Sequence, residues 1–170
     1  MMSKDSSYNT YNRLWYARQL FYRLYDLKVM SEQQLRSTVF TYMLMKEYGI
    51  GIDTDANKNK MTLENLYGIK DSIEKEAVTT GYKAKSLALR KLDVLLTLIA
   101  LVKSDNKQAL NRLYATNRLI DEGIVVYNSN STNGNITYDI TVDIDKTMQN
   151  IARKKEELER EIIELKKKYL

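Results

Sequence analysis

The chain has no cysteine, no histidine and no proline among its 170 residues. Without cysteine there is no disulfide, no thiolate metal site and no thiol nucleophile. Without histidine the commonest general base is missing, along with Ser–His and Cys–His pairs and most zinc, iron and copper sites. Carboxylates, lysines or a magnesium ion could still carry a reaction. The sequence, however, offers no phosphate-cradling glycine loop and no nucleophile elbow. Its adjacent carboxylates, Asp121 with Glu122 and the group Glu156, Glu157 and Glu159, fall at a helix end and on a charged face. The expectation is a protein that is not an enzyme and uses no cofactor or metal.

Average usage of about 5% would give about eight prolines. Proline breaks helix interiors and strand ladders, so its absence fits long uninterrupted elements. Long apolar runs are lacking too. The most apolar stretch, VLLTLIALV at 94–102, is far short of the roughly twenty residues needed to span a bilayer. It reads as a buried helix. The N-terminal residues are polar and do not look like a secretory leader. The expected location is cytoplasmic, with no membrane partner.

What is present describes a folded chain: 44% hydrophobic and 29% charged residues, enough apolar surface for a core. The net charge of +5 is uneven. Residues 1–48 carry seven basic and four acidic side chains, and residues 83–123 carry eight and four. Two basic helical regions permit an anionic partner such as DNA without demanding one.

The periodicity predicts a mainly α fold: a helical bundle over 1–123, one β-hairpin over 124–144 and a long C-terminal amphipathic, coiled-coil-like helix over 145–170, together one structural unit. A helix over 11–29 is rich in aromatics. Ser31 and Gln34 form a capping-box pattern for a second helix, which Gly49 stops. Thr62 can cap a third, running to 79, with Gly68 as a weak point and Gly81 beyond its end. Helices over 84–103 and 106–121 follow, and the short connection at 104–105 predicts that they form an antiparallel pair. The period then changes to two. IVVY at 124–127 and ITYDITVDI at 136–144 read as strands around the turn Asn133-Gly134, with Ile136, Tyr138, Ile140, Val142 and Ile144 on one face. Asp143 or Asp145 caps the last helix.

Three features could carry function. In the last helix Met148, Ile151, Lys155, Leu158, Ile162, Leu165 and Tyr169 alternate at spacings of three and four, a heptad seam with one charged intruder. Lys154 with Glu159, and Glu161 with Lys166, would complement each other across a parallel pair. The seam either receives a partner helix or lies on the chain's own core. The hairpin points the same way, because two strands alone are marginal in water. They either lie on the helices or pair with a neighbouring subunit. Ile136, Tyr138, Ile140 and Val142, with Met148, Ile151, Leu158, Ile162, Leu165 and Tyr169, are therefore the candidate oligomerisation residues. The third feature is the first helix, where Tyr11, Trp15, Arg18 and Tyr22 share one helical spacing and Leu14, Phe21 and Tyr25 another. These are either core or protein-interface residues, or, with Arg13, Arg18, Arg23 and Lys28, a nucleic-acid contact. Lys83, Lys85, Arg90 and Lys91 form a second candidate group for phosphate.

Asp53, Asp55, Asn57, Asn59 and Glu64 fall at the first, third, fifth, seventh and twelfth places of a calcium loop. Lys58 stands where that loop needs glycine, and Lys60 stands where it takes an apolar residue. The expected reading is a solvated loop without calcium.

The order of helical region, antiparallel helix pair, hairpin and terminal helix resembles that of ring-forming proteins of tailed bacteriophages. These are the portal adaptor of the head–tail connector and the small terminase subunit. In the terminase version residues 83–121 and 124–144 correspond to the ring-forming part, although the first 48 residues lack a helix-turn-helix pattern. The resemblance is one of element order and transfers no residue. It implies a non-enzymatic homo-oligomeric structural protein that docks on portal or neck proteins, or a DNA-packaging accessory protein that contacts DNA, in the host cytoplasm or the virion.

Overall fold

Helix ends in this chain are set by local hydrogen-bonding chemistry, and the sequence spells most of them out. A computed structural model describes residues 4–51, 61–79, 82–132 and 135–169. Among them are six helices and one two-stranded hairpin: α1 (Lys4–Val29), α2 (Glu32–Glu47), α3 (Leu63–Thr79), α4 (Tyr82–Lys103), α5 (Lys107–Asp121), β1 (Tyr127–Thr132), β2 (Asn135–Val142) and α6 (Ile144–Tyr169). The fold is mainly α with a long C-terminal helix.

The capping box of α2 closes in both directions. The Gln34 amide donates to Ser31 Oγ at 3.2 Å, and the Ser31 amide donates to Gln34 Oε1 at 2.8 Å, so two otherwise free N–H groups are satisfied. Thr62, Asn106 and Asp143 accept from the amides of Asn65, Ala109 and Lys146 and start α3, α5 and α6. Gly49 and Gly123 end α2 and α5 in one shared way. Each takes a positive φ, 65° and 84°. The next residue donates five positions back, Ile50 to Met45 and Ile124 to Leu119. This is the Schellman arrangement, which glycine adopts without a steric penalty.

Three boundaries differ from the sequence reading. Helix α1 starts at Lys4, earlier than the predicted residue 11. Strand β1 starts at Tyr127, and the Asn/Ser-rich stretch expected as turn forms the strand. Ile124 and Val125 are instead buried in the turn that leaves α5. There the Val126 amide donates to Thr147 Oγ1 at 2.9 Å, and Asn150 Nδ2 donates to the carbonyls of Gly123 and Ile124. Ile144 belongs to α6 and not to a strand, because Asp143 caps the helix directly before it. The turn Asn133-Gly134, Gly81 and the calcium-like positions Asp53, Asp55, Asn57 and Asn59, with Lys58 and Lys60, lie outside the described residues.

The contacts group into two compact units. The first comprises residues 1–35, 115–127 and 142–170. Its frame is α1 packed against α6, each 26 residues long, or about 39 Å at ~1.5 Å per residue. The pair is antiparallel: Tyr11 meets Tyr169, Arg13 meets Glu161, and Phe21 meets Lys155.

The second unit comprises residues 36–114 and the hairpin residues 128–141. Its core gathers Leu44, Met45, Ile50, Leu66, Ile73, Ala77, Ala88, Leu95, Leu98 and Ile99. The helix pair here is α3 with α4, and not α4 with α5 as the short loop suggested. Lys103 Nζ lies 5.6 Å from the Tyr67 ring, which fixes α3 and α4 as antiparallel. Gly68 sits inside α3 with no atom near its Cβ direction, and the helix runs through it.

Candidate interaction surface

The heptad seam of α6 is occupied within its own chain. Ile151, Leu158 and Leu165, spaced by seven, are buried, and Met148 and Ile162 beside them are half-buried. The side that covers this pattern is α1, whose Leu14, Ala17, Leu20, Leu24 and Leu27 form an equally regular buried stripe. The charged intruder is also accounted for. Lys155 is half-buried, and its ammonium lies 5.9 Å from the Phe21 ring centre. Its stem can cover apolar surface while its charge meets the ring's negative face.

Two of the flanking charges expected to reach a partner helix, Lys154 and Glu161, are engaged at home. Lys154 Nζ lies 3.4 Å from Glu122 and 3.3 Å from Glu157, and Arg13 lies 3.7 Å from Glu161. Tyr169, at the end of the seam, is exposed and meets the Tyr11 ring at 5.4 Å between centres. Ile140 and Val142 of the hairpin are buried, and the side chains of Ile136 and Tyr138 lie outside the described residues.

An open depression of about 320 Å³ lies where α6 leaves the α5 turn, lined by Glu122, Gly123, Asn150, Arg153, Lys154 and Glu157 among others. Burial alone would lower the pKa of Lys154, but the Glu122 and Glu157 carboxylates outweigh it and raise the pKa. Tyr16 is raised by burial, with Arg118 opposing and Glu122 adding to the shift. Arg118 in turn bonds Glu122 at 3.0 Å. Arg153 donates to Asn150, whose amide nitrogen is the one holding the α5 turn. These groups are matched acid to base and donor to acceptor, so the depression fastens α6 to the end of α5. Among the described residues no group of three or more carboxylate, histidine or cysteine side chains could hold a metal ion.

The candidate phosphate-binding residues separate into two sets. Arg23 is half-buried: its Nε donates to Thr116 Oγ1 at 2.9 Å and it pairs with Asp26. Lys91 is only 4% exposed and meets the Glu47 carboxylate at 3.2 Å. Both are committed to the fold. Arg13, Arg18, Lys28, Lys85 and Arg90 are exposed, although Arg13 has Glu161 beside it and Arg90 lies over the Phe40 ring at 4.5 Å. The side chain of Lys83 lies outside the described residues.

The decisive observation is on α1. Burying the leucine stripe turns the aromatic stripe outward. Tyr11, Trp15, Tyr22 and Tyr25 are 46%, 43%, 63% and 64% exposed, and Val29 at the end of the row is also open. With Arg18 they alternate at steps of four and three, within about 80° of one another at 3.6 residues per turn. Of the alternatives left open for these aromatics, a core position does not apply to Tyr11, Trp15, Tyr22 and Tyr25, since the core of this helix is made of leucines and Ala17. The sequence had singled out the row from Tyr11 to Tyr22 by spacing, but it placed Tyr25 with the buried Leu14 and missed Val29. Large exposed aromatics in a contiguous row are uncommon on a surface that faces only water.

No family model, no curated protein and no solved structure matches this chain. Among the described residues no helix is long and apolar enough to cross a membrane.

Proposed function

We propose that this chain is a non-catalytic assembly protein that works by binding protein chains, its own copies first, through the outward stripe of α1. The observation that carries this reading is the exposed row Tyr11, Trp15, Arg18, Tyr22, Tyr25 and Val29. Tryptophan, tyrosine and arginine are the side chains enriched at the cores of protein interfaces and among their energetic anchors, while lysine and carboxylates are depleted there. The row contains one arginine, no lysine and no carboxylate. The element order adds a class to this reading, that of the head–tail connector and packaging proteins of tailed bacteriophages. Native mass spectrometry and light scattering on the full chain test it. Species of two or more copies are expected at micromolar concentration, and a monomer at high micromolar concentration refutes self-assembly.

A second reading is a DNA-binding accessory protein. It is favoured by Arg18 within the aromatic row and by exposed Arg13 and Lys28 on the same helix. Aromatic faces stack on bases and arginine pairs with phosphate, so this reading requires binding that weakens steeply with salt. If neither a duplex nor a single strand is shifted at about 50 mM salt, where such contacts are strong, the reading fails.

A further inference from the structure

We infer that a second copy of this chain docks on the outward stripe of α1 in antiparallel register across a two-fold axis. Arg18 of each copy then lies over Tyr22 of the other. The inference rests on the assembly reading above and specifies its geometry.

The stripe has the spacing of a helix seam, with steps of four and three from Tyr11 to Val29. It runs about 27 Å along α1 at ~1.5 Å per residue. Two copies can meet along it in either direction, and charge decides between them. In a parallel pair each residue faces its own counterpart, so Arg18 meets Arg18. No carboxylate lies in the row to neutralise two guanidinium groups drawn out of water, and such an arrangement is strongly disfavoured. In an antiparallel pair centred between Arg18 and Tyr22, Arg18 faces Tyr22, Trp15 faces Tyr25, and Tyr11 faces Val29. Each arginine then lies on an aromatic face, which attracts it. The chain makes contacts of this kind internally, among them Arg90 over Phe40 at 4.5 Å and Arg118 over Tyr16 at 5.9 Å. The interface is self-complementary, as a two-fold pair requires.

The area suffices. Taking about 200 Å² for an aromatic side chain, the exposed fractions of the four aromatics amount to about 430 Å² per copy. Arg18 and Val29 raise this to roughly 550 Å², so complete burial of the row by two copies removes about 1,100 Å² from water, the size of a weak or transient pair that forms at micromolar concentration. A nucleic-acid strand fits less well. It would bring many phosphates to a length of helix that offers Arg18 as the one cation in the row, and the nearby Arg23 is already paired with Asp26.

Because the chain has no cysteine, single thiols can be placed without background. The full-length Tyr11→Cys and Val29→Cys chains are purified separately, mixed and oxidised. An antiparallel pair cross-links in the mixture and not in either chain alone, because like positions are about 27 Å apart. Cross-linking of Tyr11→Cys with itself overturns the register. A mixture that self-associates but does not cross-link overturns the inference and leaves the assembly reading standing. A monomer at high micromolar concentration overturns both. Independently, Arg18→Glu and Tyr22→Ala, both on open surface, are expected to weaken self-association at least tenfold while leaving helical circular dichroism unchanged. If they instead abolish binding of a single-stranded oligonucleotide and leave the mass unchanged, the stripe serves nucleic acid and the inference is wrong.

Discussion

Leu158 tests whether the seam of α6 belongs to the monomer or to an assembly. The side chain is 2% exposed and sits between the level where Arg13 meets Glu161 and the level where Phe21 meets Lys155. Leu158→Ala removes three carbons. At about 0.8 kcal/mol each the transfer loss is about 2.4 kcal/mol. The cavity left between two long helices that relax only in part adds to it, for a total of about 3–4 kcal/mol. In a chain of this length that corresponds to a fall of about 10 °C in Tm. The assay is urea and thermal unfolding followed by helical circular dichroism at two protein concentrations, with Ile163→Ala, on the open side of α6, as the control. Ile163 is 54% exposed, so its truncation should stay within about 0.5 kcal/mol. Because the seam is filled by α1 of the same chain, the Leu158→Ala loss should be the same at both concentrations. A loss below about 0.5 kcal/mol refutes this reasoning. So does a loss that grows on dilution, which would place the seam between copies.

Glu47→Ala removes the carboxylate 3.2 Å from the buried Lys91 ammonium. It should cost about 2 kcal/mol, less than for a fully buried pair because Glu47 is partly open. Adding Lys91→Met should recover most of that loss in urea unfolding, and no recovery would mean that Lys91 is held by something other than its charge. Tyr48 is pushed up to about 12 by burial, then by Glu47 and Glu76. Its hydroxyl ionises near pH 10 in the unfolded chain and only near 12 in the folded one, so the folded state binds more protons in that window and rising pH favours unfolding. Stability should therefore fall between pH 10 and 12, and Tyr48→Phe should flatten that fall in alkaline titration followed by circular dichroism.

What could be read from the sequence was chemistry that acts over a few residues. Ser31 with Gln34, Thr62 and Asp143 start helices, and Gly49 stops one, where their side chains or backbone freedom predict. The broken calcium signature and the missing histidine and cysteine are equally local facts. The hairpin was legible in its second strand, where apolar and polar residues alternate. Its first strand was not, because a backbone ladder depends on the partner strand and can recruit the polar stretch after Tyr127. Lys91 and Arg23 looked like surface cations, and only the approach of Glu47, and of Thr116 with Asp26, made them part of the interior.

The same distinction governs α1. The sequence by itself determined that this helix carries large side chains at two helical spacings, Tyr11, Trp15, Arg18 and Tyr22 on one and Leu14, Phe21 and Tyr25 on the other, because helical period and side-chain type are written residue by residue. It could not say which stripe faces in. That was decided when the leucine stripe met Ile151, Leu158 and Leu165 of α6, since a helix buries the face whose partner is present and leaves the other to water. From Trp15 onward the aromatic row became a surface because α6 took the leucine side; at its start Tyr11 still meets Tyr169 of α6.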